Sequence, residues 1–181
     1  LVSASALPYR EGVSQTPRAA TGDDLARIKD DFVCAARRAA EAGFDWLELH
    51  CAHGYLLSSF ISPLTNRRTD QYGGSIPNRV RFLMEVTQAV VDVWGADRVG
   101  VRLSPYGVAN GSGEPDPMPL YTYAVEQLNP LGLAKGVVPF DIDPSFLDVG
   151  STIQGQTHFE QVFLRAEKAF DNAVSTFNHA N

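Results

Sequence analysis

Helical and strand patterns alternate along the first two-thirds of this chain, and that order constrains the fold more than any other feature. Thr21 can cap a helix, and Asp24 three residues on completes a capping-box pattern. Leu25, Ile28, Phe32, Ala35, Ala36 and Ala39 then recur at helical spacing, and Gly43 stops the run. Phe44 to His50 reads as a short strand. Trp46, Glu48 and His50 point one way along it, Leu47 and Leu49 the other. Bulk on both sides predicts a strand buried on two faces. A second helix is expected over roughly 78–94, with Val80, Leu83, Met84, Val86, Val90, Val91 and Trp94 on its apolar face. Arg98 to Leu103 is a second strand. Leu120 to Leu128 is a third helix, ended near Pro130 and Gly132. Residues 1–20 and the glycine- and proline-rich stretch before Leu120 read as loops. Helix, strand, helix, strand, helix predicts α/β layering around parallel strands with right-handed crossovers.

Composition narrows the function classes. Of 181 residues, 44% are apolar and 20% charged, which fits a globular domain rather than a disordered or fibrous chain. The formal net charge of −6 argues against a general nucleic-acid binder. No apolar run reaches the length of a membrane span, and Leu1 to Ser5 lack the features of a secretory signal. Cys34 and Cys51 form no Cys-x-x-Cys site and read as two reduced thiols of a cytoplasmic protein. The absence of an initiator Met suggests a start inside a longer gene, or processing. The chain is also shorter than a (β/α)8 barrel, which runs to about 250 residues.

The sharpest local pattern is His50-Cys51-Ala52-His53-Gly54-Tyr55 at the carboxyl end of the first strand, where α/β folds gather function. Two imidazoles and a phenol there can bind an anionic oxygen and deliver a proton. On the residues alone, an isolated His-x-x-His reads first as a pair of capping or core histidines. Zinc is a weaker reading, since catalytic zinc usually takes three protein ligands and no third is evident. The string from Ser62 to Ser75, with Asn78 and Arg79, is rich in Arg–Asp pairing potential and reads as a pinned βα loop. Arg102, late in the second strand, is costly there unless an anion or acceptor meets it.

Taken together, three motifs resemble the Old Yellow Enzyme family of FMN-dependent ene-reductases and NADH:flavin oxidoreductases. They are His50 to Tyr55, the Asn66-x-Arg68-x-Asp70-x-Tyr72-Gly73-Gly74-Ser75-x-x-Asn78-Arg79 string, and Val101-Arg102-Leu103-Ser104. Residues 3–8 resemble the family's stretch before its third barrel helix. Leu49 to Arg68 is closest in wording to the reductase domain of bifunctional aromatic-acyl-CoA hydroxylases such as salicylyl-CoA 5-hydroxylase. Pro105 to Ala134 is closer to the branch with bacterial ene-reductases. The resemblance implies a (β/α)8 barrel, FMN as cofactor and NAD(P)H as reductant. By position, it implies that His50 and His53 hold the carbonyl or phenolate oxygen of the ligand. Tyr55 then donates a proton to the α-carbon, and Arg102 contacts the flavin ring near N1. Asn66 to Arg79 correspond to a structural signature.

The resemblance covers residues 1–134 and implies the middle segment of a barrel, with two of its eight strands. The family's first three strands, with a glutamine facing the flavin, would precede Leu1. Strands six to eight would follow Ala134. There Lys135-Gly136-Val137-Val138-Pro139 departs from the family, and no phosphate-binding glycine loop is recognisable in 135–181. Instead, 157–179 reads as one long amphipathic helix with Phe159, Val162, Phe163, Ala166, Phe170, Ala173, Val174 and Phe177 in a stripe. Packing on the domain's own core and homo-oligomer formation both remain open for that stripe.

Two functions follow as expectations. The first is a segment of a flavin-dependent oxidoreductase acting on small molecules with an electron-withdrawing carbonyl or acyl-CoA group. The second is a non-catalytic, truncated or recombined barrel whose C-terminal helix covers an open edge or drives self-association.

Overall fold

The computed structural model describes residues 1–133 and the backbone of Lys135–Pro139. The element order is β1 (Val2–Ser3), β2 (Arg18–Ala19), α1 (Gly22–Glu41), β3 (Leu47–Cys51), α2 (Leu56–Ile61), α3 (Ile76–Trp94), β4 (Val99–Leu103), α4 (Pro117–Leu128) and β5 (Lys135–Pro139). The strands pair in parallel throughout. This is the expected α/β arrangement, helices alternating with parallel strands.

The capping box forms as expected. The Asp24 N–H donates to Thr21 Oγ1 at 3.2 Å, and the Thr21 N–H donates to Asp24 Oδ2 at 2.9 Å. Arg18 adds an ion pair to the same carboxylate and holds it well below the usual carboxylate range. Burial selects Leu25, Ile28 and Ala36 from the expected stripe, with Phe32 and Ala39 partly covered. Ala35 faces solvent instead, because it lies off the line that meets α3. The Trp94 Nε1–H donates to Ala36 O at 2.6 Å and fastens α3 to α1. Helix α3 begins earlier than expected, at Ile76 with Pro77 in its first turn, where a missing N–H costs nothing. Its buried face includes Phe82, which the sequence reading omitted. Helix α4 likewise starts at Pro117 rather than Leu120.

Three expectations about strands need correction. The first strand starts at Leu47, not Phe44, and Phe44 and Trp46 are 65% and 49% exposed. It is also buried on one face only. Leu49 and Cys51 enter the core while Glu48 and His50 are exposed. The reason is layering: among the described residues the helices pack on the side of Leu49 and Cys51. Finally, the described sheet has three strands rather than two. Lys135–Pro139, read as a departure from the family, pairs with β4 through Gly100–Lys135, Arg102–Val138 and Leu103–Pro139. Residues 1–20 are mostly loop but contribute the two-residue ladder β1–β2.

Register decides which residues share a face. Leu47, Leu49 and Cys51 stand opposite Val99, Val101 and Leu103 on the helix-covered side. Glu48 stands opposite Gly100, and His50 opposite Arg102, on the other side. No helix among the described residues is long and apolar enough to cross a membrane. Both cysteines are free thiols, Cys34 exposed and Cys51 buried. The expected 157–179 helix lies outside the described residues.

Candidate active site

The site is built where β3 gives way to α2. His50 is on the exposed side of the strand. His53 and Gly54 then adopt left-handed backbone conformations, with φ of 55° and 75°. Two such residues in succession reverse the chain, so Tyr55, the N-cap of α2, returns its ring over His50. The His50 and Tyr55 ring centroids are 5.3 Å apart, and those of His50 and His53 are 5.8 Å apart. The sequence pattern thus becomes a three-ring cluster at one strand end. Arg102, the register neighbour of His50 on β4, is half-buried beside it.

Each conformation in the turn has a local cause. A left-handed residue other than glycine costs about 1–2 kcal/mol, so His53 needs support. Its N–H donates to Ser104 Oγ at 2.9 Å, and its carbonyl accepts from Asn110 Nδ2 at 2.8 Å. Gly54 has no alternative: a Cβ there would sit 2.6 Å from Ala109 O and 2.7 Å from Asn110 Cβ. The Gly54 N–H donates to Ser58 Oγ at 3.1 Å, which starts α2. The loop after β4 is therefore packed directly against the turn. Ser62 Oγ and the Gly113 backbone hold that loop to α2, with bonds of 2.6 and 3.1 Å. Tyr121 donates its hydroxyl proton to Ser104 O at 3.1 Å from α4.

Electrostatics set the state of His50. Partial burial, then the His53 and Arg102 charges, lower its pKa below the ordinary imidazole value, against an opposing effect of Glu48. At neutral pH it is a neutral imidazole, with one N–H to donate and one lone pair. His50 can therefore offer a neutral N–H to an oxygen, with a phenolic proton close by. Among the described residues no group of three or more His, Cys, Asp and Glu side chains is placed to hold a metal ion.

The Asn66–Arg79 string is turned inward, away from this chemistry. Asn66 Nδ2 donates to Phe60 O at 2.6 Å and to Tyr72 O at 2.8 Å. Arg68 donates to Ala4 O at 3.1 Å and Ala20 O at 2.6 Å, and forks onto Asp70. Arg79 reaches Ile61 O, Gly74 O and Glu114 Oε2. Gly73 is required, since a Cβ there would lie 2.2 Å from Arg68 O. The structural reading of this string holds.

Sequence reasoning found all four ring and guanidinium groups. It missed Gly54, Ser104 and Asn110 as the parts that shape the turn. Ser104 closed one of the quoted motifs without a role, and Asn110-Gly111 is a left-handed turn signal.

Comparison with known proteins shows the family and the fold. Residues 2–130 match the NADH:flavin oxidoreductase / NADH oxidase family. A putative 12-oxophytodienoate reductase-like protein 2A of Arabidopsis thaliana is 47% identical over 127 residues, 70% of this chain and 47% of that protein. Morphinone reductase, solved in complex with tetrahydroNAD, superposes with a TM-score of 0.70 at 41% identity, covering 74% of this chain and 40% of its own. Old Yellow Enzyme from Pichia sp. AKU4542 gives a TM-score of 0.71 at 39% identity, covering 81% and 42% respectively. The chain thus spans less than half the length of each of these relatives.

Proposed function

This chain belongs to the NADH:flavin oxidoreductase / NADH oxidase family, the Old Yellow Enzyme group, and from that premise we propose that it carries the substrate-activating part of a flavin-dependent ene-reductase. Flavin and a nicotinamide reductant are the cofactors of the family. The reaction is reduction of an alkene activated by a conjugated carbonyl, with acyl-CoA thioesters within the class. One observation supports the reading above others: the His53 and Tyr55 rings each lie within 6 Å of the His50 ring at an exposed strand end, beside Arg102.

The residues present fit a flavin ring. Arg102 puts a guanidinium, a permanent cation, on the same sheet side as His50, next to Gly100, which has no side chain to block a planar group. Positive charge there favours the reduced, anionic ring. Held on this face by Arg102, FMN reduced by NAD(P)H would supply the hydride for the β-carbon of the alkene.

The chain's own residues do the rest. The imidazoles of His50 and His53 donate N–H groups to the substrate carbonyl oxygen, which draws electron density from the alkene. The low pKa of His50 keeps it a neutral donor, so it polarises the oxygen without losing its own proton to it. Tyr55 holds a proton at Oη and passes it to the α-carbon as charge builds there. Ser104 and Asn110 keep the backbone of the turn fixed while this happens. In this reading residues 1–134 carry the site. Residues 135–181 form a divergent segment, and self-association through 157–179 is part of the same proposal.

The test is NAD(P)H oxidation by the FMN-loaded protein with 2-cyclohexen-1-one as acceptor. The expected result is enone-dependent turnover giving the saturated ketone, lost in a His50→Ala, His53→Ala double variant. Turnover independent of the enone, or unaffected by that variant, would overturn the reading.

A further inference from the structure

We propose that Asn110 and Ser104, both in the segment after β4, are positioning residues for His53: together they clamp the two backbone polar groups of the strained turn that carries the imidazole. The proposal rests on the reading of His53 as an oxygen-binding group, and adds where its orientation comes from.

The observations are geometric. His53 has φ of 55°, a conformation its side chain disfavours. Both of its backbone polar groups are held from the segment after β4: Ser104 Oγ accepts its N–H at 2.9 Å, and Asn110 Nδ2 donates to its carbonyl at 2.8 Å. Both partners lie more than fifty residues away in sequence. Asn110 has itself a φ of 55°, and its amide ties a second left-handed residue, His53, in the turn after β3, to the loop after β4. Gly54 lets the loop close to this distance, because any Cβ would strike Ala109 O.

The clamp is itself anchored. The Tyr121 hydroxyl holds the Ser104 carbonyl, Ser62 holds Gly113, and the Arg79–Glu114 pair, at 2.9 Å with both side chains about nine-tenths buried, fixes the far end of the loop. The same anchoring arginine belongs to the signature string. The structural string therefore reaches the site through this loop, and the loop reaches His53 through two hydrogen bonds. Rigidity in a supporting shell of this kind is what holds a reactive group within the narrow range that chemistry needs.

The test separates the side-chain bond from backbone strain. Asn110→Gly keeps the left-handed conformation available and removes the amide with the rest of the side chain. Ser104→Ala removes the other bond at a different residue, so one variant remains informative if the other folds poorly. The readout is the imidazole titration of His50, followed by NMR in the ¹⁵N-histidine-labelled full chain without flavin or enone. His50 is faced by His53 and Tyr55 from the turn, Arg102 from β4 and Glu48 from its own strand, and His53 is among the charges that lower its pKa. Releasing His53 should therefore raise the His50 midpoint toward the ordinary imidazole value in either variant. In the FMN-loaded protein, the same variants should raise the KM for 2-cyclohexen-1-one several-fold more than that for NAD(P)H. A His50 midpoint unchanged in both variants would overturn the proposal. A raised midpoint would support the clamp even if His53→Ala left enone reduction intact, which would instead count against the functional reading.

Discussion

The string from Asn66 to Arg79 and the turn from His50 to Tyr55 follow one another in sequence, yet they treat their polar groups in opposite ways. In the string, Asn66, Arg68 and Arg79 end on carbonyls and carboxylates of the fold itself. In the turn, the backbone is bonded just as firmly, but the rings of His50 and Tyr55 are left exposed. The lesson is that a motif of charged residues can be spent wholly on the fold, while a short, nearly neutral one keeps ring side chains at the surface. A side chain is available to a ligand when the fold fixes the backbone beneath it and leaves its tip alone.

The contrast can be broken first at Arg79. Arg79→Met would leave Glu114 buried without its partner, and breaking a pair of that kind costs about 3–5 kcal/mol. Urea denaturation should show this as a lower midpoint at unchanged slope. A loss under about 1 kcal/mol would mean that the string is not the anchor described, since exposed pairs are worth that little.

A smaller effect is expected at Asn66. Asn66→Ala removes two donors and leaves the carbonyls of Phe60 and Tyr72 short of partners, at a cost of about 1–3 kcal/mol. The same denaturation series checks it. Together these substitutions sharpen the comparison, because neither touches the three-ring cluster directly.

The smallest effect is a pH dependence at His50. Its pKa is lower in the folded chain than in the unfolded one, chiefly because partial burial penalises the charged form. As pH falls below the ordinary imidazole value of about 6.5, the unfolded chain binds the proton first, so stability declines. Asp24 and Asp70 have lowered pKa values and respond only at more acid pH. Denaturation midpoints at pH 7.5 and 5.5 should therefore differ by less in His50→Gln than in the unaltered chain. An equal difference would assign the decline elsewhere.

Much of this was legible in the sequence, for physical reasons that differ by region. Thr21 and Asp24 announce a helix start through chemistry confined to four residues, and the box forms as written. The apolar rhythm of α3 is strong because one face is buried over five turns. The start of β3 was misplaced because Phe44 and Trp46 look like core residues, and sequence does not say on which side of a strand the helices pack. Lys135–Pro139 carries little family wording, yet its pairing with β4 is a backbone matter that side chains need not advertise. In the site, His50, His53, Tyr55 and Arg102 were found by motif. The partners of His53 were not, because Ser104 and Asn110 act across a long sequence gap that only the fold closes.

The central claim is that the cluster activates an alkene for hydride from flavin while Tyr55 supplies the proton. Rapid-mixing kinetics of Tyr55→Phe in the FMN-loaded protein separate the two half-reactions. Reduction of 2-cyclohexen-1-one should slow by about 100-fold or more, the usual size of a lost general acid. Flavin reduction by NAD(P)H should be largely unchanged. Equal slowing of both half-reactions, or of neither, would contradict the account.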